Sequence, residues 1–160
     1  MGDALAVCLL EKRGFSEEDF LAFHPSGALG NGLLYTVSEL MITGDKLPIA
    51  KEEEMFTDVI QVISAKKLGM AIITDKNGKM TGVLTDGDIR RTLIKHPDVK
   101  NLKVKDVMTV EPKTILPGEL AAKALHLMEK YSITALAIRD ENGYPAGVVH
   151  IHDLLKVGVA

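Results

Sequence analysis

The sequence predicts an α/β (α+β) fold: two β-α-β-β-α repeats packed as a pseudo-twofold pair, preceded by a short helical segment. Three observations carry that prediction. DKNGKMTGVLTDGDI from Asp75 returns as DENGYPAGVVHIHDL from Asp140, an offset of 65 residues, and VSELM from Val37 returns as VKDVM from Val104, an offset of 67. Between these anchors, apolar residues pass through helical and then strand-like spacing twice in the same order. Beyond the opening aspartates, Asn77, Gly78, Gly82, Val83 and Asp88 meet identical residues at Asn142, Gly143, Gly147, Val148 and Asp153. Self-similarity at a fixed period marks an internal duplication.

Residues 1–36 stand outside the repeat. GDALAVCLLEKRG reads as a helix with Leu5, Cys8 and Leu9 on one side and Gly14 as its stop. Ser16 and Asp19 give a capping-box-like start to a second helix with Phe20 and Phe23 on its apolar face, and the glycine-rich HPSGALGNGLL follows. With no strand and no repeat partner, this segment reads as the trailing end of another domain. The first repeat spans 37–100. It opens with an extended piece from Leu47 to Ala50, then places Met55, Val59, Val62 and Ile63 on one helical face. Two strand-like runs, GMAIITD and KMTGVL, are joined by a loop containing Asn-Gly, a hairpin signal, and a helix runs from Asp86 to about Lys95. The second repeat, 101–160, has the same parts: an extended piece from Thr114 to Leu116, a helix carrying Leu120, Ala124, Leu127 and Met128, strands in ALAIRD and PAGVV, and a last helix from Ile151 to about Val157. Pro117 and Gly118 suit the start of that first helix rather than its interior.

The composition excludes several function classes. With 160 residues, 46% hydrophobic and 26% charged, the chain is long enough for a real core, and its apolar runs are far too short to span a bilayer. A net charge of −3 and only 4% aromatic residues offer neither the electrostatic footprint nor the stacking surface of a nucleic-acid binder. A single cysteine, Cys8, rules out an internal disulfide and a CxxC metal knuckle, and no signal peptide opens the chain, so the expected location is cytoplasmic. One such half of fifty-odd residues leaves a sheet face uncovered, so the two copies are expected to pack together, with the cleft between them as the natural ligand site.

The duplicated unit with its G-apolar-apolar-T-x-x-D segment resembles a tandem pair of cystathionine β-synthase (CBS) domains, a Bateman module. GDALAVCLLEKRGF, FHPSGALG and the closing GVVHIHDLLKVG are similar to the C-terminal half of the bacterial isomerases that make arabinose 5-phosphate. In that family a sugar-isomerase (SIS) domain precedes the CBS pair, which implies that residues 1–36 are a SIS remnant and linker and that the chain is a fragment of a longer enzyme.

The candidate site residues follow from the repeat and from the resemblance. Thr85 and Asp88 stand where a strand passes into a helix, so a hydroxyl and free N–H groups can meet a phosphate while a carboxylate takes ribose hydroxyls. That is the role the resemblance gives them, with Gly87 allowing close approach. The alternative is that Asp86 or Asp88 caps the helix. Arg90 and Arg91 either supply charge to an anion or form a solvated helix face. In the second copy His150 replaces Thr85 while Asp153 is retained, so the two clefts are inequivalent. His150 and His152 with Asp153 supply too few ligands for a closed metal site, so no metal is expected. The resemblance implies base contacts from Ile49 and Ala50 and from Thr114 and Ile115, with Met70 and Ala135 lining the same cleft; core packing is the rival role for the apolar ones. It also implies that His24 serves the isomerase site of the parent enzyme, although Ser26 and Asn31 depart from the family's usual glycine and basic residue.

The resulting expectation is a regulatory CBS pair with no required cofactor. It would bind a nucleotide or nucleotide-sugar effector, CMP-Kdo or AMP or ATP, and self-associate as a homodimer or tetramer through Ile89, Leu93, Leu154 and Leu155. The alternatives are a purely structural oligomerisation module without ligand, and residual isomerase activity.

Overall fold

A computed structural model describes residues 35–159 of the chain. The helices and glycine-rich stretch expected before Tyr35, with Cys8 and His24, lie outside the described residues. Among the described residues the order is helix α1 (Val37–Leu40), a short 3-10 turn, β1 (Ile49–Lys51), α2 (Phe56–Lys66), β2 (Met70–Thr74), β3 (Met80–Thr85) and α3 (Asp86–Lys95). A second 3-10 turn at Val104–Asp106 leads to β4 (Thr109–Val110), β5 (Thr114–Ile115), α4 (Ala121–Tyr131), β6 (Ala135–Arg139), β7 (Pro145–His150) and α5 (Ile151–Lys156). The β-α-β-β-α order read from the sequence is present twice.

Each half builds a small sheet. In the first, β1 runs parallel to β2, which pairs antiparallel with β3, and β4 adds antiparallel to the outer edge of β3. In the second, β5 is parallel to β6 and β6 antiparallel to β7. The hairpin strands superpose in register, and both carry a bulge at the same place, between Ile73 and Thr74 and between Ile138 and Arg139. The Asn-Gly loops are five residues long rather than two. In each, the leading aspartate accepts two backbone N–H bonds: Asp75 from Asn77 and Lys79, Asp140 from Asn142 and Tyr144. Gly78 (φ 84°) and Gly143 (φ 89°) take the left-handed position that closes the loop.

All five residues of β2 are buried, and strand alternation explains why. Ala71 and Ile73 point into the first half's own core with Phe56, Val59 and Ile63 of α2. Met70 and Ile72 face the other way and pack with Val83, Ala137 and Val148, so the second half covers the sheet face that one repeat alone would expose. Helices α2 and α4 both end on a residue in the left-handed region, Lys67 (φ 58°) and Ser132 (φ 52°), again 65 positions apart. These turns aim the chain back into the inter-half junction.

The segments ahead of each half are exchanged. Val37 is buried in the second half's core beside Ile115, Ala121 and Met128, while Val104 is buried in the first half's core beside Phe56. Ile42 pairs with Val148, and Thr109 with Val83. The methionine that follows each arm lies over a glycine: a Cβ at Gly147 would stand 2.6 Å from Met41 Sδ, and one at Gly82 would stand 2.8 Å from Met108 Sδ and 2.7 Å from the Thr109 carbonyl oxygen. One of the five repeated identities, Gly82 with Gly147, is thereby explained by close packing.

The helix-face expectation for self-association needs correction. Leu154 is fully buried in the second half's core and Ile89 packs against the first, repeat partners that both take the inward side of their helices. Leu93 and Leu155 are exposed, and the most exposed apolar residue on α3 is Ile94 at 85%.

Candidate functional site

The junction of the two halves holds a cavity of about 570 Å³. One wall is the end of β3 and the first turns of α3: Thr85, Asp86, Gly87, Arg90 and Arg91, with Gly69 and Met70 beneath. The other wall is the turn from α4 into β6, Tyr131 to Ala135.

Thr85 ends β3 in an extended conformation and caps α3 (φ −111°, ψ 164°). Its hydroxyl accepts the Asp88 N–H at 3.2 Å, and the Asp88 carboxylate accepts the Thr85 N–H at 2.9 Å, a reciprocal capping box. The same carboxylate accepts the Thr85 hydroxyl at 2.7 Å, the Arg91 guanidinium at 2.7 Å and the Thr109 hydroxyl at 3.1 Å. Burial pushes the Asp88 carboxyl up, but these bonds from Thr85, Arg91 and Thr109 outweigh it and hold the group below the usual carboxylate range. Asp88 is only 6% exposed, and it stands behind the cavity wall as the anchor of its lining.

Gly87 contributes space. A Cβ there would lie 3.3 Å from Arg91 Nη1 and 3.5 Å from the Thr85 hydroxyl, so the guanidinium lies close against the first turn of α3 and would have to give slightly to any side chain there. Two arginines and the first turn of α3 thus face one space, opposed in charge by Asp86 alone among the lining residues, while the Thr85 hydroxyl is given to Asp88 and the Asp86 N–H to the Gly69 carbonyl. Across it, Ser132 and Thr134 supply hydroxyls and Tyr131 an aromatic ring, which lies 5.0 Å from Lys113 Nζ. The set suits a ligand with an anionic end and a flat or hydroxylated end.

The remaining candidates are dispersed. Thr85, Asp86, Met70 and Ala135 meet in the cavity. Thr114 and Ile115 line a separate groove of about 210 Å³ with Lys123, Leu127 and Arg139. Ala50 is buried in the first core and Ile49 is 44% exposed on the edge of β1. His150 caps α5, its Nδ1 accepting the His152 N–H at 3.2 Å, with the two rings 4.9 Å apart. Burial and then His152 push its imidazole below the ordinary histidine range, against the pull of Asp153. Asp153 itself bonds the Lys156 ammonium at 3.1 Å. No cluster of three His, Cys, Asp or Glu side chains suited to a metal occurs among the described residues.

Sequence reading passed over the Tyr131–Thr134 turn and Thr109. The turn had a signal, since Met70 and Ala135 are repeat partners at one strand end. Thr109 had only its alignment with Ile42 at offset 67, where an apolar residue stands.

A CBS domain family model matches residues 37–95 and again 104–160. The chain belongs to the CBS domain family. The E. coli K12 protein arabinose 5-phosphate isomerase KdsD is 45% identical over 99% of the chain, and the chain spans about half (48%) of that relative's length. Among solved structures, the CBS-pair protein CBSX2 of Arabidopsis thaliana, crystallised with AMP, has a TM-score of 0.67 at 22% identity over 78% of this chain and 96% of that one. The CBS domain protein PAE2072 of Pyrobaculum aerophilum, also complexed with AMP, has a TM-score of 0.68 at 21% identity, covering 79% of this chain and all (100%) of the other. These structural likenesses establish the fold of a CBS pair.

Proposed function

We propose that the chain is the regulatory CBS pair of an arabinose-5-phosphate isomerase and binds a nucleotide-type effector in the cavity between its halves. The observation that carries this reading is the convergence of Thr85, the first turn of α3, Arg90 and Arg91 on one wall of a 570 Å³ space whose other wall carries Tyr131, Ser132 and Thr134. Phosphate, ribose and base each find a matching chemistry there. The AMP bound by two proteins of the same fold supports the ligand class. The identity with KdsD supports a parent that converts ribulose 5-phosphate to arabinose 5-phosphate in the cytoplasm, with His24 serving that reaction upstream. Because that product leads to the Kdo sugar of lipopolysaccharide, CMP-Kdo is a feedback effector to weigh beside AMP and ATP. Pairing with a second copy would use the exposed Leu93, Ile94 and Leu155.

The test is a thermal-shift panel of CMP-Kdo, CMP, AMP, ADP and ATP. A ligand at about a hundred times its dissociation constant stabilises by about 2.7 kcal/mol, a readily measured rise in Tm. A panel with no shift, on a protein that sediments as a dimer or tetramer, would favour a module that only holds subunits together.

A further inference from the structure

We propose that Thr109, in the segment joining the halves, is a positioning residue of this cavity: its hydroxyl fixes the Asp88 carboxylate, which in turn sets the Arg91 guanidinium across Gly87 as a preformed seat for the ligand's phosphate. The inference rests on the nucleotide reading of the cavity and adds how its charge is placed.

The geometry is a relay of three side chains. Thr109 lies in β4, held against Val83 by the sheet. Its hydroxyl donates to Asp88 Oδ1 at 3.1 Å, and the same oxygen accepts Arg91 Nη2 at 2.7 Å. The other carboxylate oxygen is taken by the Thr85 N–H and hydroxyl. Asp88 is therefore bonded from three elements, β3, α3 and β4, and cannot rotate without breaking one of them. Arg91 differs: its side chain is 64% exposed and the carboxylate holding it only 8%. A surface arginine ordinarily samples many rotamers and gains little from an i,i+3 partner. Here the partner is buried and immobile, so the guanidinium is ordered before a ligand arrives, and its remaining N–H donors are free to meet a phosphate. Among the described residues the second half has no such device. Ile42 occupies the place of Thr109 and offers no hydroxyl, and Asp153 meets only a lysine that is 74% exposed.

The test compares Thr109→Val with Thr109→Ser. Without ligand, carboxyl NMR of Asp88 and guanidinium NMR of Arg91 should show the Asp88 titration moving up and Arg91 gaining mobility in T109V, with T109S restoring both. With ligand, T109V should weaken AMP by roughly two- to tenfold while leaving adenosine, which lacks the phosphate, unchanged. If the NMR signals of T109V match wild type while wild type binds AMP, the relay is refuted and the nucleotide reading stands. If the signals change as expected but wild type binds neither AMP nor the other nucleotides, the reading of the cavity fails and the relay is only a structural lock, which overturns the seat. Equal loss of AMP and adenosine would also overturn it, since the defect would not lie at the phosphate.

Discussion

The two halves share a fold and differ in what they do with one aspartate. In the first, Asp88 is buried and bonded by Thr85, Arg91 and Thr109. In the second, Asp153 is partly exposed and among the described residues its side chain meets only Lys156, while His150 turns its Nδ1 to the His152 N–H instead of completing a capping box. Duplication kept the carboxylate at both places; the neighbours decide whether it is a structural anchor or a surface charge.

That difference is sharpest in stability. Asp88→Ala leaves the Thr85 N–H, the Thr109 hydroxyl and Arg91 without their acceptor and should cost about 2–3 kcal/mol in urea unfolding. Asp153→Ala removes one solvent-exposed pair and should cost under about 1 kcal/mol. Equal costs would break the contrast. A loss of binding in Asp88→Ala then reports the collapse of the Arg91 seat rather than a lost ribose contact, so binding must be compared at matched stability.

The glycine pair sharpens it next. Gly82→Ala drives a Cβ to within 2.7 Å of the Thr109 carbonyl, which belongs to a paired strand, whereas at Gly147 the nearest atom is the flexible Met41 sulfur. Overpacking at Gly82 should cost about 1–3 kcal/mol. Gly147→Ala should cost less, read from the same denaturation midpoints, unless the Ile42 carbonyl at 3.1 Å also has to move.

Much of the fold was legible because the duplication repeats local signals: helix faces, the Asn-Gly loops and the strand pairs all recur at offset 65. The exchange of the arms was not. Val37 opens the first repeat in the chain yet packs in the second core, next to the pairing of Ile42 with Val148, more than a hundred residues away (148 − 42 = 106). Strand β4 escaped for the same reason, since two residues carry no period. At the site, Thr85, Asp86, Met70 and Ala135 could be found from strand ends. The burial of Asp88 could not, because its decisive neighbour, Thr109, comes from another element 21 positions on. Leu154 was misplaced because periodicity fixes a helix face but not which face the core takes.

Smaller effects separate the halves by pH. Asp88 is held below its ordinary value of 3.8, so the stability its charge contributes is present above that value and lost as pH falls through the lowered one. His150 is held below 6.5 by burial and His152, so the stability favouring its neutral form is present above pH 6.5 and declines as pH falls below it. Above the carboxylate range, where Glu39, Glu53, Asp75 and Asp88 all stay ionised, the change falls to His150 in the second half. His150→Asn should therefore flatten the fall in Tm between about pH 6.5 and 5 and leave the steeper acid transition in place. A wild-type Tm constant over that interval would remove the assignment.

If the first half's wall holds the anion, calorimetric titration of AMP into Arg91→Gln and His150→Ala should separate the two halves. Losing a charge-assisted contact should weaken AMP about tenfold or more in R91Q, and H150A should stay within about twofold of wild type. AMP bound normally by R91Q but lost in H150A would contradict it and place the ligand on the histidine-bearing side.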